Sequence, residues 1–319
     1  MEKKYIVGVD LGGTTVKLAF LTEEGDIVTK WEIPTNKKDS GKYIASDIAK
    51  AIKQKQNELN CDLLSIGMGV PGPVDFENGV VINGVNIGWV NFPIKKELQN
   101  ESGLSVVVDN DANIAALGEM WKGAGNGAKD VVAVTLGTGV GGGVIANGKI
   151  VHGKKAAAGE IGHITSVISG GAPCNCGKMG CLETIASATG IARIAIEKIK
   201  ESDMKGALAE YYQKNGEVSA KEVFAFYNTD EIAREVVEEI SLHLGFALAN
   251  VANTLNPEKI VIGGGVSKAG NDLLKSVDKY FKKFAFSVVA ESTSLSIATL
   301  GNDAGVVGAA WLAKETYNK

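Results

Sequence analysis

Histidine and cysteine are scarce in this chain, three and four residues among 319. No uninterrupted apolar run approaches the ~20 residues that span a bilayer, so no membrane helix is expected. The start, Met1-Glu-Lys-Lys-Tyr5, runs straight into a strand-like segment without the apolar core of a signal peptide, and a cytoplasmic location is expected. A net charge of −4 gives no electrostatic reason to expect nucleic acid or an anionic membrane as partner. Two common nucleotide signatures are also missing. No Gly-Lys-Ser or Gly-Lys-Thr completes a Walker A loop, and no Gly-x-Gly-x-x-Gly opens a helix.

What the chain does have is length, clustered glycine and one dense knot of metal-type side chains. At 319 residues it exceeds the usual reach of one hydrophobic core, so two domains are expected. Three of the four cysteines fall in the run His163-x10-Cys174-x-Cys176-x4-Cys181-x-Glu183. One imidazole and three thiols form the ligand set of a closed tetrahedral zinc site. Cysteines one residue apart do not readily bridge each other, and in a reducing compartment clustered thiols favour metal over disulfide. Glu160 stands three residues before the first ligand and Glu183 two after the last, so a metal here would pin two carboxylates into one wall. Cys61 stands alone in an apolar context and reads as a buried core residue.

The 40 glycines cluster behind β-branched runs, as turns against a ligand would. Tyr5 to Asp10 reads as a buried strand, Leu11-Gly12-Gly13-Thr14 as the turn after it, and Thr15 to Leu21 as a second strand. A polar hairpin at Glu24-Gly25-Asp26 leads to a third strand ending near Ile33. The same order recurs 125 residues later: Val131 to Thr135, Leu136-Gly137-Thr138-Gly139, Val140 to Ala146, a turn at Asn147-Gly148, and Lys149 to His152. Two related α/β domains are expected. Each turn offers backbone N–H groups and a threonine hydroxyl with no Cβ to obstruct a phosphate. Asp10 ends the first strand, placed to hold magnesium. Lys17 could point back toward phosphate or reach solvent. A third strand-to-glycine junction, Ile260-Val-Ile-Gly263-Gly264-Gly265, adds to the reading of a nucleotide site.

Between the two repeats, Val106-Val-Val-Asp109-Asn110-Asp111-Ala-Asn113 ends a strand and opens a helix. Ile114, Leu117 and Trp121 repeat at helical spacing, and Gly123 fits the stop. Asp109 or Asn110 is a natural N-cap. Asp111 is then a second acid in the first turn, kept ionised by the helix dipole. A carboxylate there can accept the proton of an alcohol during phosphoryl transfer.

These pieces together resemble the ROK (repressor, open reading frame, kinase) family and, within it, the bacterial glucokinases. The resemblance runs through Asp10-Leu-Gly-Gly-Thr-Thr-Val-Lys17, Gly69-Val-Pro-Gly-Pro-Val-Asp75, Asn86-Ile-Gly-Trp89, Asp109-Asn-Asp-Ala-Asn113 and Leu136-Gly-Thr-Gly-Val-Gly-Gly-Gly143. It continues through Glu160-Ile-Gly-His163, the cysteine run and Asn302-Asp-Ala-Gly305. Residues 201–230 carry no matching motif. The resemblance implies a two-domain α/β fold of the actin-like ATPase (ribonuclease H-like) kind with the active site in an interdomain cleft. The smaller domain would hold residues 1–112 with 303–319, and the larger one 113–302 with the zinc loop.

The implied activity is ATP-dependent phosphorylation of a sugar, glucose before N-acetylmannosamine, fructose or allose, as an early step of glycolysis. Asp111 would be the catalytic base. Asn110, Glu160, His163 and Glu183 would bind the other hydroxyls, with Gly72 and Asn86 nearby. Asp10, Gly12, Gly13, Thr14 and Lys17 would meet phosphate and Mg2+, with Thr138 and Gly139 on the opposite lip and Gly264 beside the adenosine. His163, Cys174, Cys176 and Cys181 would hold a structural Zn2+, with His163 free to offer its second N–H to sugar. A homodimer is also implied. The family's repressors carry a winged-helix segment ahead of the aspartate-glycine motif. Here that motif begins at residue 10, so a repressor is disfavoured, and Asp10 and Asp111 would be dispensable in a non-catalytic sugar sensor.

Overall fold

The computed structural model describes residues 4–317, and the outermost residues of the expected domain limits lie outside that range. The chain clusters into two units. The first comprises the residues up to Lys129, Gly143–Gly159 and Leu300 onward; the second comprises Asp130–Gly142 and Glu160–Thr299.

The first unit is built on strands β1 (Lys4–Leu11), β2 (Thr15–Leu21), β3 (Ile27–Pro34), β4 (Asp62–Val70) and, further along, Ser105–Asn110. Three short strands intervene: β5 (Val74–Asp75), β6 (Val80–Gly84) and β7 (Trp89–Phe92), which form their own antiparallel sheet, so Ser105–Asn110 is β8. The main sheet has order β3-β2-β1-β4-β8. β1, β2 and β3 pair antiparallel as two hairpins, and β1, β4 and β8 run parallel. Burial follows position. Central β1 has Ile6, Val7, Val9 and Leu11 buried, as a strand covered on both faces requires. Edge strand β3 alternates between half-buried and exposed residues.

One face of this sheet is covered by the amphipathic helix Ile44–Leu59, which buries Ile44, Ala45, Ile48, Ala49 and Ile52. On the other lies the helix Ala304–Tyr317, which packs on β1, β4 and the helix Asp111–Trp121. Its approach is unusually close. A Cβ on Gly8 would collide with the Val306 carbonyl, and one on Gly67 with the Ala309 carbonyl. The expected division at 112/113 falls in the first turn of Asp111–Trp121, which Gly118 and Gly308 allow to lie against that same helix.

The second unit carries β9 (Val131–Leu136), and the chain leaves it within β10 (Val140–Ala146), which turns into β11 (Lys149–Ile150). β12 (Lys259–Gly263) pairs parallel with both β9 and β13 (Ser294–Ile297), giving the order β11-β10-β9-β12-β13. This is the order of the first sheet, so the 125-residue repeat is a structural duplication. The expected third strand of the repeat, Lys149 to His152, ends at Ile150, and His152 pairs with Asp109 instead. The apolar core here includes Val132, Val134, Leu182, Ile194, Leu244 and Phe281. Residues 201–230, silent as motifs, supply helices Ala207–Asn215 and Ala220–Phe226, with Leu208, Ala209 and Val223 in that core. Cys61, expected to be buried, is only half-buried beside the Gln56 carbonyl at the start of β4. Among the described residues no helix is long and apolar enough to cross a membrane.

Candidate functional site

In the first unit, the carboxyl ends of the parallel strands gather the expected residues. Asp10 on β1 is level with Gly69 on β4, and Gly69 is level with Asp109 on β8. The Gly12-Gly13 turn follows at once. Gly12 N–H donates to the Thr15 carbonyl at 3.0 Å, and Thr35 braces the turn, its hydroxyl donating to the Gly12 carbonyl at 2.7 Å. Lys17, one strand over and paired with Asp10 in register, turns its ammonium back to the Asp10 carboxylate at 3.7 Å. Burial raises the Asp10 pKa, and Lys17 offsets part of that rise.

Asn86, in the turn between β6 and β7, lies beside Gly13: a Cβ added to that glycine would be 3.8 Å from the Asn86 Cβ and 3.8 Å from the Lys37 ammonium. Lys37 belongs to none of the motifs, and only its position marks it. Trp89, the end of the Asn86 motif, is a core residue stacked on Phe92 with ring centroids 4.5 Å apart.

Asn110, not Asp109, caps the helix. Its Oδ1 accepts from the Ala112 and Asn113 N–H groups at 2.9 and 3.4 Å, and its Nδ2 donates to the Gly72 carbonyl at 3.0 Å. Gly72 needs to be glycine here, since its φ is +94° and a Cβ would strike the Asn83 carbonyl. Asp111 follows, its Oδ1 accepting the Ala112 N–H at 2.9 Å. Desolvation by the surrounding protein raises its pKa, the Ala112 N–H offsets part of this, and the charge of Asp10 adds to the rise.

Asp109 is buried, 1% exposed, and pairs with a histidine that no motif marked: His152 Nε2 lies 2.7 Å from Asp109 Oδ2. Only the tertiary fold joins these residues, 43 positions apart.

In the second unit, the four expected metal ligands converge. One ligand atom from each of His163, Cys174, Cys176 and Cys181 lies within 4.8 Å of every other. The Cys176 and Cys181 sulfurs are 3.6 Å apart, and Cys174 Sγ is 3.6 Å from His163 Nδ1. A tetrahedral zinc with Zn–S bonds of ~2.3 Å would hold two sulfurs about 3.8 Å apart, so the cluster fits. Backbone bonds shape it: Cys174 N–H donates to the Lys178 carbonyl and Gly177 N–H to the Cys174 carbonyl. The thiols do not ionise together unaided. Burial and the neighbouring thiols push Cys181 up to about 12, and burial pushes Cys174 up. A metal cation bound here would supply the charge to hold all three as thiolates.

The same loop reaches the second glycine turn. Glu183 Oε2 accepts the Val140 N–H at 3.0 Å, while Oε1 lies 3.8 Å from Cys174 Sγ. Gly139 must lack a Cβ, which would otherwise meet that carboxylate. Thr138 is exposed, its carbonyl accepting from the Thr189 hydroxyl at 2.9 Å. Gly264, φ +84°, lies so close to the end of β9 that a Cβ would be 2.5 Å from the Leu136 carbonyl oxygen. His163 directs Nε2 away from the cluster, 3.9 Å from Glu160 Oε2. The remaining histidine, His243 on the helix Glu231–Leu255, anchors the loop with Nδ1 2.7 Å from the Ser166 hydroxyl.

The ROK family model matches residues 6–316. The chain belongs to the ROK family. A glucokinase from Halalkalibacterium halodurans is 56% identical over 322 residues, covering 100% of this chain and 97% of the relative. Among solved structures, a ROK hexokinase from Thermus thermophilus aligns with TM-score 0.81 at 31% identity, covering 98% of this chain and 99% of that one. A ROK family glucokinase from Streptomyces griseus, in complex with glucose and AMPPNP, aligns with TM-score 0.77 at 33% identity and the same coverage. The fold is therefore the two-domain α/β arrangement of the ROK kinases, an actin-like ATPase fold.

Proposed function

We propose that this ROK protein is a glucokinase, transferring the γ-phosphoryl group of ATP to the 6-hydroxyl of glucose. The observation that carries the reading is the end of the first sheet, where Asp10, the Gly12-Gly13 turn and Asp111 occur together on a scaffold shared with sugar kinases. Full-length identity of 56% to a relative named glucokinase supports glucose over other hexoses.

In this reading Asp111 accepts the hydroxyl proton as the sugar oxygen attacks the γ-phosphorus. The new O–P bond forms as the bridge to the β-phosphate breaks, and ADP leaves with the electron pair. A positioned base contributes roughly 10²–10⁴ in rate, or about 3–5 kcal/mol. The raised pKa strengthens Asp111 as a proton acceptor. Asp10 would hold Mg2+, which spreads the charge developing on the phosphates. Gly12, Gly13 and Thr14 would offer N–H and hydroxyl donors to phosphate, with Lys17 the nearby cation and Thr138, Gly139 and Gly264 serving nucleotide from the second unit.

Asn86, Gly72, Glu160, His163 and Glu183 would bind the sugar. Asn110 would join them through the second hydrogen of its Nδ2, since capping engages Oδ1 and the Gly72 carbonyl takes the first. Zn2+ held by His163, Cys174, Cys176 and Cys181 would be structural and fix the imidazole, leaving Nε2 as a donor. A cytoplasmic homodimer supplying glucose 6-phosphate to glycolysis is the setting we propose. Coupled ADP release across glucose, N-acetylmannosamine, fructose and allose tests the assignment. Glucose should give the highest kcat/KM; preference for another sugar would reassign the substrate.

A further inference from the structure

The buried carboxylate of Asp109 receives three donors, and one of them comes from far away in the chain. Oδ1 takes the Asn110 N–H at 2.7 Å and the Asn113 Nδ2 at 3.0 Å, both from its own strand-to-helix turn. Oδ2 takes His152 Nε2 at 2.7 Å. The imidazole is itself clamped. Its face stacks on Phe76, with centroids 4.4 Å apart and planes 25° from parallel. Its backbone is fixed by Val151 N–H donating to the Val144 carbonyl at 2.8 Å and Ala158 N–H to the His152 carbonyl at 3.1 Å. Beyond it opens a cavity of about 780 Å³ lined by Phe76, Asn78, Asn91 and Lys154. The ring is thus a fixed strut between the β5–β6 hairpin and the buried acid.

The peptide that donates to Asp109 links Asp109 to Asn110, one peptide before the unit that carries Asp111, and Asn113 Nδ2 ties the same carboxylate to the first turn of the helix Asp111 opens. A carboxylate freed of His152 would hold both that peptide and the helix start through Asn113 less firmly, and Asp111 sits between those two contacts. We propose that His152 is a positioning residue for phosphoryl transfer, acting through Asp109 to aim the Asp111 carboxylate at the sugar hydroxyl. The inference rests on the assignment of Asp111 as base. Misplacing a reacting group by about 1 Å costs on the order of 10²-fold in rate.

The test uses His152→Phe, which keeps a ring against Phe76 and loses the donor, and His152→Gln, which keeps an N–H of similar reach. His152→Asn, too short to reach Asp109, replaces the Phe variant should that fail to fold. Each is assayed with glucose and ATP in the wild-type and Asp111→Asn backgrounds. In the wild-type background His152→Phe should lower kcat by about 10- to 100-fold with the KM for ATP within about twofold, and His152→Gln should restore most of it. In the Asp111→Asn background His152→Phe should change nothing further, because the group it aims is gone. Wild-type-like kcat in His152→Phe, or an equal fall in both backgrounds, would overturn the proposal. Unchanged turnover in Asp111→Asn alone would instead remove the base assignment, a separate failure.

Discussion

The Asp10 charge raises the pKa of Asp111, in addition to the larger rise that desolvation causes. Asp10 stands near the end of β1, level through Gly69 with Asp109 on β8, and Asp111 opens the helix that follows β8. Lys17 is the cation near Asp10, and it partly offsets the burial of that carboxylate. Such an arrangement is costly in the free protein, and in the proposed reaction it would bring magnesium to one acid and a proton to the other.

The cost has a measurable sign. Asp111 has a folded pKa above its unfolded value, so the folded state binds more proton and stability falls as pH rises from the unfolded pKa through the folded one. Above that window the penalty is complete. Asp111→Asn keeps the bond to the Ala112 N–H and loses the charge, so it should melt at a higher temperature than wild type near pH 7. The difference should shrink as pH falls through the window. Thermal scans at several pH values check this, and a lower melting temperature at neutral pH would count against the account.

Rate should carry the same signature. A base must be deprotonated to act, so activity falls as pH drops through its pKa. The acid limb of kcat/KM should therefore have its midpoint above 3.8, the ordinary aspartate value. A pH–rate profile with glucose saturating and non-saturating locates the limb. A midpoint at or below the ordinary value would contradict the electrostatics described here.

Gly305 offers a test of Asp10. It lies near the start of the C-terminal helix, and a Cβ there would be 2.6 Å from the Asp10 Cγ and Oδ2. Gly305→Ala should displace that carboxylate and reduce kcat/KM for Mg-ATP by at least about 10-fold, the scale of a small misplacement, with circular dichroism unchanged. Gly67→Ala, which drives a methyl into the Ala309 carbonyl, should instead destabilise the fold. Equal kinetics for Gly305→Ala and wild type would remove Asp10 from the reaction.

Sequence patterns revealed most of this arrangement because they recur locally. The strand, glycine-threonine turn and strand of each half follow from β-branched runs and glycine pairs, and the histidine-cysteine cluster from spacing alone. The Asp109–His152 pair was illegible because only tertiary folding brings a loop after β11 to the end of β8. Choosing between Asp109 and Asn110 as helix cap was equally beyond local reading, since both are good caps. Burial of Asp109 decides it, because its oxygens are taken by Asn113 and His152. Residues 201–230 have ordinary amphipathic helices, whose packing leaves no chemical motif.

The zinc reading predicts about one equivalent of metal per chain. Structural zinc binds with apparent energies of roughly 10–16 kcal/mol, enough to order a glycine-rich loop. Cys176→Ala, or a strong chelator, should abolish metal content, speed hydrogen exchange from His163 to Leu182 and lower activity. Cys61→Ala, which is not part of the cluster, should retain metal and activity. Full activity after complete metal loss would contradict a structural role.

The most direct measurement follows phosphorus. Phosphorus NMR of ATP, Mg2+ and glucose with the protein should show one glucose 6-phosphate formed for each ADP. Asp111→Asn should slow this by about 10²–10⁴ while still binding glucose by calorimetry. ATP consumed without a sugar phosphate, or equal rates for the wild type and Asp111→Asn, would contradict the account.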